Sequence, residues 1–419
     1  MDTAATTLTY AMLGIGAGTV TGLVPGLHVN SVAFVAVGVA AELPGPPIAV
    51  VAAVLAAGVV HTFLSIVPGL VLGVPDAATA TGALPGHRLV LAGRGRETIR
   101  LSALGSGIAL VASVAVALPL ARLIGAGRPW LLAALPALLT LVAALLILAE
   151  PTRRSRVGGL LSLCAATLLG LLTLDLPASG PLSSSGAASM LAPLFAGLFG
   201  APILLDALDA RGAIPPQDGT RLGLSRRSTL RAALAGVGGG ALVGYLPGVS
   251  AGVAAVLALG GAGGDGPAGR GTDRPYVVAT SGADTATAVF SVASLVVLGA
   301  PRSGVTVAAE TLLTDGSGDA VPAATDTVVL FATLVVAAAV GVVLLVTLGE
   351  WYLSAVRRLP RRPLVLSVLC LLGALSVAFA GALGGAVFCL ATLVGLVPPR
   401  LGARRVHLMG VLFGPIILG

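Results

Sequence analysis

The chain has 419 residues, 56% of them hydrophobic and only 10% charged, and its mean hydropathy is +1.03. A soluble domain carries about 25% charged residues, so the composition excludes a water-soluble globular protein and predicts an integral membrane protein. Aromatic content of 4%, 58 glycines and long uncharged runs favour closely packed helices; a barrel would alternate in strands of about ten residues.

The net charge of +7 is carried entirely by arginine, since the chain has no lysine. In a membrane protein such an excess records topology, because Arg accumulates in cytoplasmic loops; nucleic acid is not an expected partner. Cys164, Cys370 and Cys389 lie singly in apolar runs without metal spacing and read as small core residues.

The opening MDTAATTLTYAMLGIG has no basic n-region, so no cleaved signal is predicted and the first apolar run stays as a helix. That run is interrupted by GLVPGLHVNS, at residues 22–31. Further on, a spanning helix takes about 20 apolar residues. The predicted spans are 101–121, 131–149, 157–174, 187–205 and 327–349. Residues 363–399 are too many for one helix and are predicted to form two, joined near 381–385, and a short run at 406–418 closes the chain.

Arginine clusters at 86–100, 151–156, 211–231 and 357–362 are all placed in the cytoplasm, with two spans between the first and second and two between the second and third. The loop 175–185 has no Arg and is placed outside. A loop around Arg122–Arg128, with two Arg, is a mild exception.

A second break, GYLPGVSAGV at 244–253, repeats the first: Pro25-Gly26 and Pro247-Gly248 lie 222 positions apart. VLGVP at 71–75 and VLGAP at 297–301 lie 226 apart. Matched features at nearly constant offset point to an internal duplication. After VLGVP the chain reaches cytoplasmic arginines; after VLGAP it reaches TDGSGDA, one span away from the cytoplasmic RRLPRR. The same element therefore ends on opposite sides in the two halves. The expected fold is an all-α polytopic membrane protein of about 10–12 transmembrane helices in two inverted-topology repeats, each with a Pro-Gly-broken re-entrant helical hairpin. Its divisions are a first repeat at 1–208, a cytoplasmic linker at 209–231 and a second repeat at 232–419.

Pro-Gly in an apolar run frees backbone groups that lipid does not satisfy, so such breaks belong inside protein or beside water. Broken helices near the midplane present N-termini that favour anions. Pro25, Gly26, His28, Asn30 and Ser31 at the first break, and Pro247, Gly248 and Ser250 at the second, are the candidate substrate-binding residues. His28 is read either as a donor or proton carrier, or as a packed histidine.

ATSGADTATAVFS, at 279–291, sets Ser281, Asp284, Thr285 and Thr287 in an otherwise spanning segment. An ionisable group within the membrane suggests an ion pathway, and these four are the candidate ion-coupling residues. The alternative is an Asp at a helix end facing water. The first-half counterpart is thinner: His61, Thr62 and Ser65. Arg302 and Ser303 in APRSG complete the substrate set: Arg302 either clamps a carboxylate or phosphate or anchors topology, and pairs with Asp76 of the first half if the two approach.

No G-x-x-x-x-G-K-[ST] loop, H-E-x-x-H or Cys/His metal set occurs, so neither an enzyme nor a metal protein is expected. The glycine-rich 261–271 follows a membrane helix and reads as a flexible loop.

The segments GLVPGLHVNS, PGHRLVLAGRGRETIRLSALGS, ATSGADTATAVFSVASLVVLGAPRSG and RRVHLMGVLFGPIILG resemble the large permease subunit of the tripartite tricarboxylate transporters, closest to its archaeal uncharacterised branch. The resemblance spans nearly the whole chain. It implies a multi-pass cell-membrane permease that carries a small organic anion by secondary active transport, coupled to Na+ or H+, with no other cofactor. It also implies a small membrane subunit and an extracytoplasmic binding protein as partners. Asp284 stands where that family usually has Asn, and an ionised Asp there repels a carboxylate unless it holds a cation or proton. The alternative cargo on the same architecture is an anionic lipid carrier such as a polyprenyl phosphate. A membrane scaffold or intramembrane enzyme does not need paired inverted breaks.

Overall fold

The computed structural model describes residues 3–25, 27, 29–73, 83–181, 190–209, 214–217, 221–245, 273–313 and 324–418. Among them every regular element is helical. Six helices are long and apolar enough to cross a membrane, and shorter apolar ones accompany them.

In the first half, α1 (Thr3–Leu23) ends at the first break and α2 (Val29–Val39) follows it. Next comes α3 (Pro47–Leu64), prolonged past Ser65 by α4 (Ile66–Leu72), so that Pro47–Leu72 is one candidate span of 26 residues. In the second half, α10 (Arg226–Tyr245) ends at the second break, and the partner span α11 (Asp273–Leu298) again has 26 residues. The matched spans are thus the same length and start 226 positions apart.

Each pair is clamped by glycine. On α1, a Cβ at Gly14 or Gly18 would collide with the carbonyls of Ala53 and Ala57, and one at Gly22 would lie 2.7 Å from the Leu64 Cβ. On α10, a Cβ at Gly236 would collide with the Ala279 carbonyl, one at Gly240 would lie 2.7 Å from the Ala283 oxygen and one at Gly244 would lie 2.5 Å from the Phe290 Cβ. The three glycines shift by 222 and their three partners by 226. Contacts that advance together along both chains mean that each pair is parallel. Small residues every fourth position let two membrane helices approach to backbone distance.

Helix α6 (Gly95–Leu148) runs parallel to α11: Ser102 and Ser281 share a hydroxyl hydrogen bond of 2.8 Å, and Gly125 lies against Leu298. The first turns of α6 meet the C-terminal end of α13 (Ala324–Val356), through Gly95 against Leu353 and Arg100–Glu350 at 3.0 Å. Helix α13 runs alongside α3 in the same direction, with Gly341 on Phe63 and Gly349 on Val67. It follows that α3 and α11 point in opposite directions.

The remaining elements are α5 (Ala83–Leu91), α7 (Arg153–Thr173), α8 (Leu191–Phe195) running through a wider turn into α9 (Ala201–Asp209), α12 (Gly304–Leu313), α14 (Arg361–Gly395), α15 (Val397–Arg400) and, after a short 3-10 turn at Arg405–Met409, α16 (Gly410–Leu418). Gly381, at φ 68°, breaks α14 and packs on the Ser179 carbonyl, so 363–399 does form two helices joined where expected. The loop expected around Arg122–Arg128 is instead helical, lying within the 54 residues of α6. Its contour of about 80 Å is enough for two crossings of a ~30 Å core. Both of its ends lie at one end of the molecule: Glu150, just beyond it, binds Arg404, while Arg405 binds Asp206 on α9, and α9 touches Gly73 through Ile203. Pro119, Pro129 and Pro136 lie inside the helix, where proline bends rather than ends it.

Arginines from all four clusters gather at that same end. Arg88 pairs with Asp273 at 2.6 Å, and Arg274 with the buried Glu97 at 2.7 Å. Gln217 of the linker accepts from the Gly95 N–H and donates to the Val90 carbonyl. Glu150 Oε1 accepts from the Arg404 backbone and side chain and from His407 Nε2 at 2.9 Å, docking the C-terminal segment on α7.

Two stability predictions follow from this packing. Replacing Gly18 or Gly240 by Val forces the backbones apart, a cost of about 1–3 kcal/mol for overpacking, and lowers the melting midpoint in detergent. Gly16→Ala and Gly238→Ala, with no neighbour within 4 Å, should not lower it and, by removing a helical glycine, should raise it slightly. Burial raises the pKa of the Glu150 carboxyl, but the His407 and Arg404 hydrogen bonds outweigh it and hold the value at about 2, against 4.5. A depressed carboxylate stabilises above its unfolded pKa and loses that contribution as pH falls. Melting midpoints should therefore drop between pH 4.5 and 2 in the native protein, and Glu150→Gln should be less stable at pH 7 with a flatter acid limb.

Candidate functional site

One short segment, the connection from α11 to α12, touches the chain beside both breaks. Arg302 sends its Nη2 to the Tyr245 carbonyl, on the last residue of α10 and immediately before the second break. A guanidinium hydrogen-bonded to a carbonyl at the C-terminal end of a helix is favoured by the helix dipole. Two residues on, Gly304 lies against Asn30, which opens α2 just past the first break; a Cβ on Gly304 would sit 2.5 Å from Asn30 Cγ. One loop therefore touches the chain beside both Pro-Gly interruptions.

Local chemistry fixes that loop. Gly299 takes a left-handed φ of 54°, ending α11, and the Ser294 hydroxyl donates to the Ala300 carbonyl at 2.8 Å. Thr306 Oγ1 accepts from the N–H groups of Arg302 and Ser303, both at 2.9 Å, and Ser303 Oγ accepts from the Thr306 N–H at 3.2 Å. Ser303 is thus the N-cap of α12, so its hydroxyl holds the helix start.

At the first break, Val24 still bonds back to Val20, and Leu27 bonds to Val24 across Pro25. Beside it, His61 Nδ1 and Thr21 Oγ1 are 3.1 Å apart, both buried. Asn30 and Ser31 lie on α2. Gly26, His28, Pro247, Gly248, Ser250 and Asp76 lie outside the described residues.

The four candidate ion-coupling residues all sit on α11, and the structure divides them between its neighbours. Ser281 binds α6, through Ser102 Oγ and through its own carbonyl, which accepts from Ser106 Oγ at 3.2 Å. Thr287 donates to the Ala283 carbonyl at 2.7 Å and approaches the Gly240 carbonyl of α10 at 3.5 Å. Asp284 and Thr285 are buried in the middle of the helix. The reading of Asp284 as a helix-end group facing water is therefore corrected: it is 6% exposed and lies well inside Asp273–Leu298. The described residues hold no cluster of metal-ligating side chains.

Sequence reasoning missed Tyr245 and Thr306, which hold Arg302 and its loop. It also missed the glycine ladder that positions each break. The signal was present: G-x-G-x-G-x-x-x-G-x-x-P-G occurs at 14–26 and again at 236–248.

The family model for the tripartite tricarboxylate transporter TctA family matches residues 8–410. The chain belongs to that family. With its long apolar helices it is a multi-pass membrane protein. An uncharacterized protein of Methanocaldococcus jannaschii is 36% identical over 117 residues, a match spanning 26% of this chain and 28% of that protein. No solved structure matches.

Arg302→Gln removes a charge-assisted hydrogen bond of about 1.5–3 kcal/mol. We expect uptake into proteoliposomes to fall at least about tenfold, since each 1.4 kcal/mol is a factor of ten. Gly304→Val, which displaces Asn30, should do the same.

Proposed function

We propose that this permease is an ion-coupled secondary transporter for a small organic anion such as a di- or tricarboxylate, bound between the two broken helices near the bilayer midplane. The observation that carries this reading is the Arg302 loop, which contacts Tyr245 at one break and Asn30 at the other. A guanidinium between two interrupted helices suits a carboxylate, which it can take in a bidentate fork.

The matched, oppositely directed spans support two inverted-topology repeats, at 1–208 and 232–419, joined by the linker 209–231. Inverted repeats with broken helices at their interface are a recurrent transporter architecture. Asp284 is the proposed coupling residue, binding Na+ or H+ and so offsetting its own repulsion of the substrate. Family membership favours a small membrane subunit and an extracytoplasmic binding protein as partners.

The test is thermal stabilisation of the purified protein by di- and tricarboxylates and by polyprenyl phosphate, each with and without sodium and at two pH values. A ligand that binds the folded state raises the melting midpoint. The expected result is stabilisation by a carboxylate that depends on sodium or pH, with Asp284→Asn abolishing that dependence. Stabilisation by the lipid phosphate alone would overturn the organic-anion reading.

A further inference from the structure

Away from the breaks, a groove of about 910 Å³ opens between α6, α10 and α13. Its walls are apolar: Leu104, Ile108 and Val111 on α6, Leu230 and Leu234 on α10, and Val346 on α13. Arg100 lines it at the arginine-rich end and is paired there with Glu350. We infer that this groove is a binding site for an anionic phospholipid of the cytoplasmic leaflet, with the acyl chains along α6 and the phosphate at the arginines of α10.

Depth selects a lipid over a partner helix. From Arg100 to Ala112 the lining rises about 18 Å along α6, close to one leaflet, or half of a ~30 Å hydrocarbon core. A transmembrane helix of a partner needs a contact surface running through both leaflets. The volume lies in the upper part of the ~300–1,000 Å³ range of ligand sites, which suits long chains better than a small solute.

Charge selects an anionic headgroup. Arg227 precedes Leu230 by three positions on α10 and Arg231 precedes Leu234 by three, so both arginines share the stripe that walls the groove. Both are exposed. The nearby carboxylates are already engaged: Glu350 with Arg100, Glu97 with Arg274 and Arg94, and Asp273 with Arg88. Basic pockets between helices at the cytoplasmic face suit anionic lipid headgroups. Leu222, from the linker, closes the mouth beside them.

Gly107 supplies a clean probe. It lines the groove, and a Cβ built on it meets nothing within 4 Å. Gly107→Leu therefore fills the groove without disturbing helix packing. The experiment is thermal stabilisation of the full chain in detergent by added dioleoyl phosphatidylglycerol or dioleoyl phosphatidylcholine. The expected result is a saturable increase for the native protein, at least twice as large with phosphatidylglycerol. Gly107→Leu should melt normally without lipid and lose the increase with both. Arg227→Ala combined with Arg231→Ala should equalise the two lipids. Equal stabilisation of the native protein by both, or a phosphatidylglycerol increase that survives both variants, would overturn the proposal. So would a polypeptide co-purifying one to one with the native protein and lost in Gly107→Leu, because a protein segment would then occupy the groove.

Discussion

Everything in this molecule depends on two helix pairs being able to touch backbone to backbone. Lipid gives helices no hydrophobic reason to associate, so close packing must come from shape. Gly14, Gly18 and Gly22 provide it on α1, and Gly236, Gly240 and Gly244 on α10. In each set the last glycine stands three residues before the Pro-Gly break. The ladder that binds each pair therefore runs up to the Pro-Gly sequence. Backbone groups freed at membrane depth are tolerated only inside protein or beside water, so a Pro-Gly sequence there needs close packing beside it.

Charge organises the other axis. The Arg–carboxylate contacts Arg88–Asp273, Arg274–Glu97 and Arg100–Glu350 each join a first-half element to a second-half one. They lie at the same end as the C-terminal anchor on Glu150. The two halves are thus interleaved: α6, from the first, packs along α10 and α11, from the second. The Arg274–Glu97 pair is largely buried and costly to break singly, while the two more exposed pairs contribute little net stability and serve mainly to match helix ends across the halves.

The helical fold was readable because apolar runs of membrane length have few alternatives, and the first Pro-Gly break because proline is a local signal. Gly381 was found for the same reason: a run too long for one span must turn somewhere, and glycine marks the place. The continuous helix through Arg122–Arg128 was not legible, since two arginines and two glycines near a proline read as a loop, while leucine and alanine on both flanks carry helix through it. Tyr245 and Thr306 were not legible either. Their roles exist only after distant segments meet, and neither residue stands out in its own stretch.

The matched segments also differ in side chain at corresponding positions. Position for position, Gly58 on α3 corresponds to Asp284 on α11, and His61 to Thr287. A Cβ on Gly58 would collide with Val305 of α12, so no carboxylate fits there. At Asp284 the second arm carries an acid, and at His61 the first carries an imidazole bound to Thr21 beside its break. Two arms of like backbone thus differ in their titratable groups.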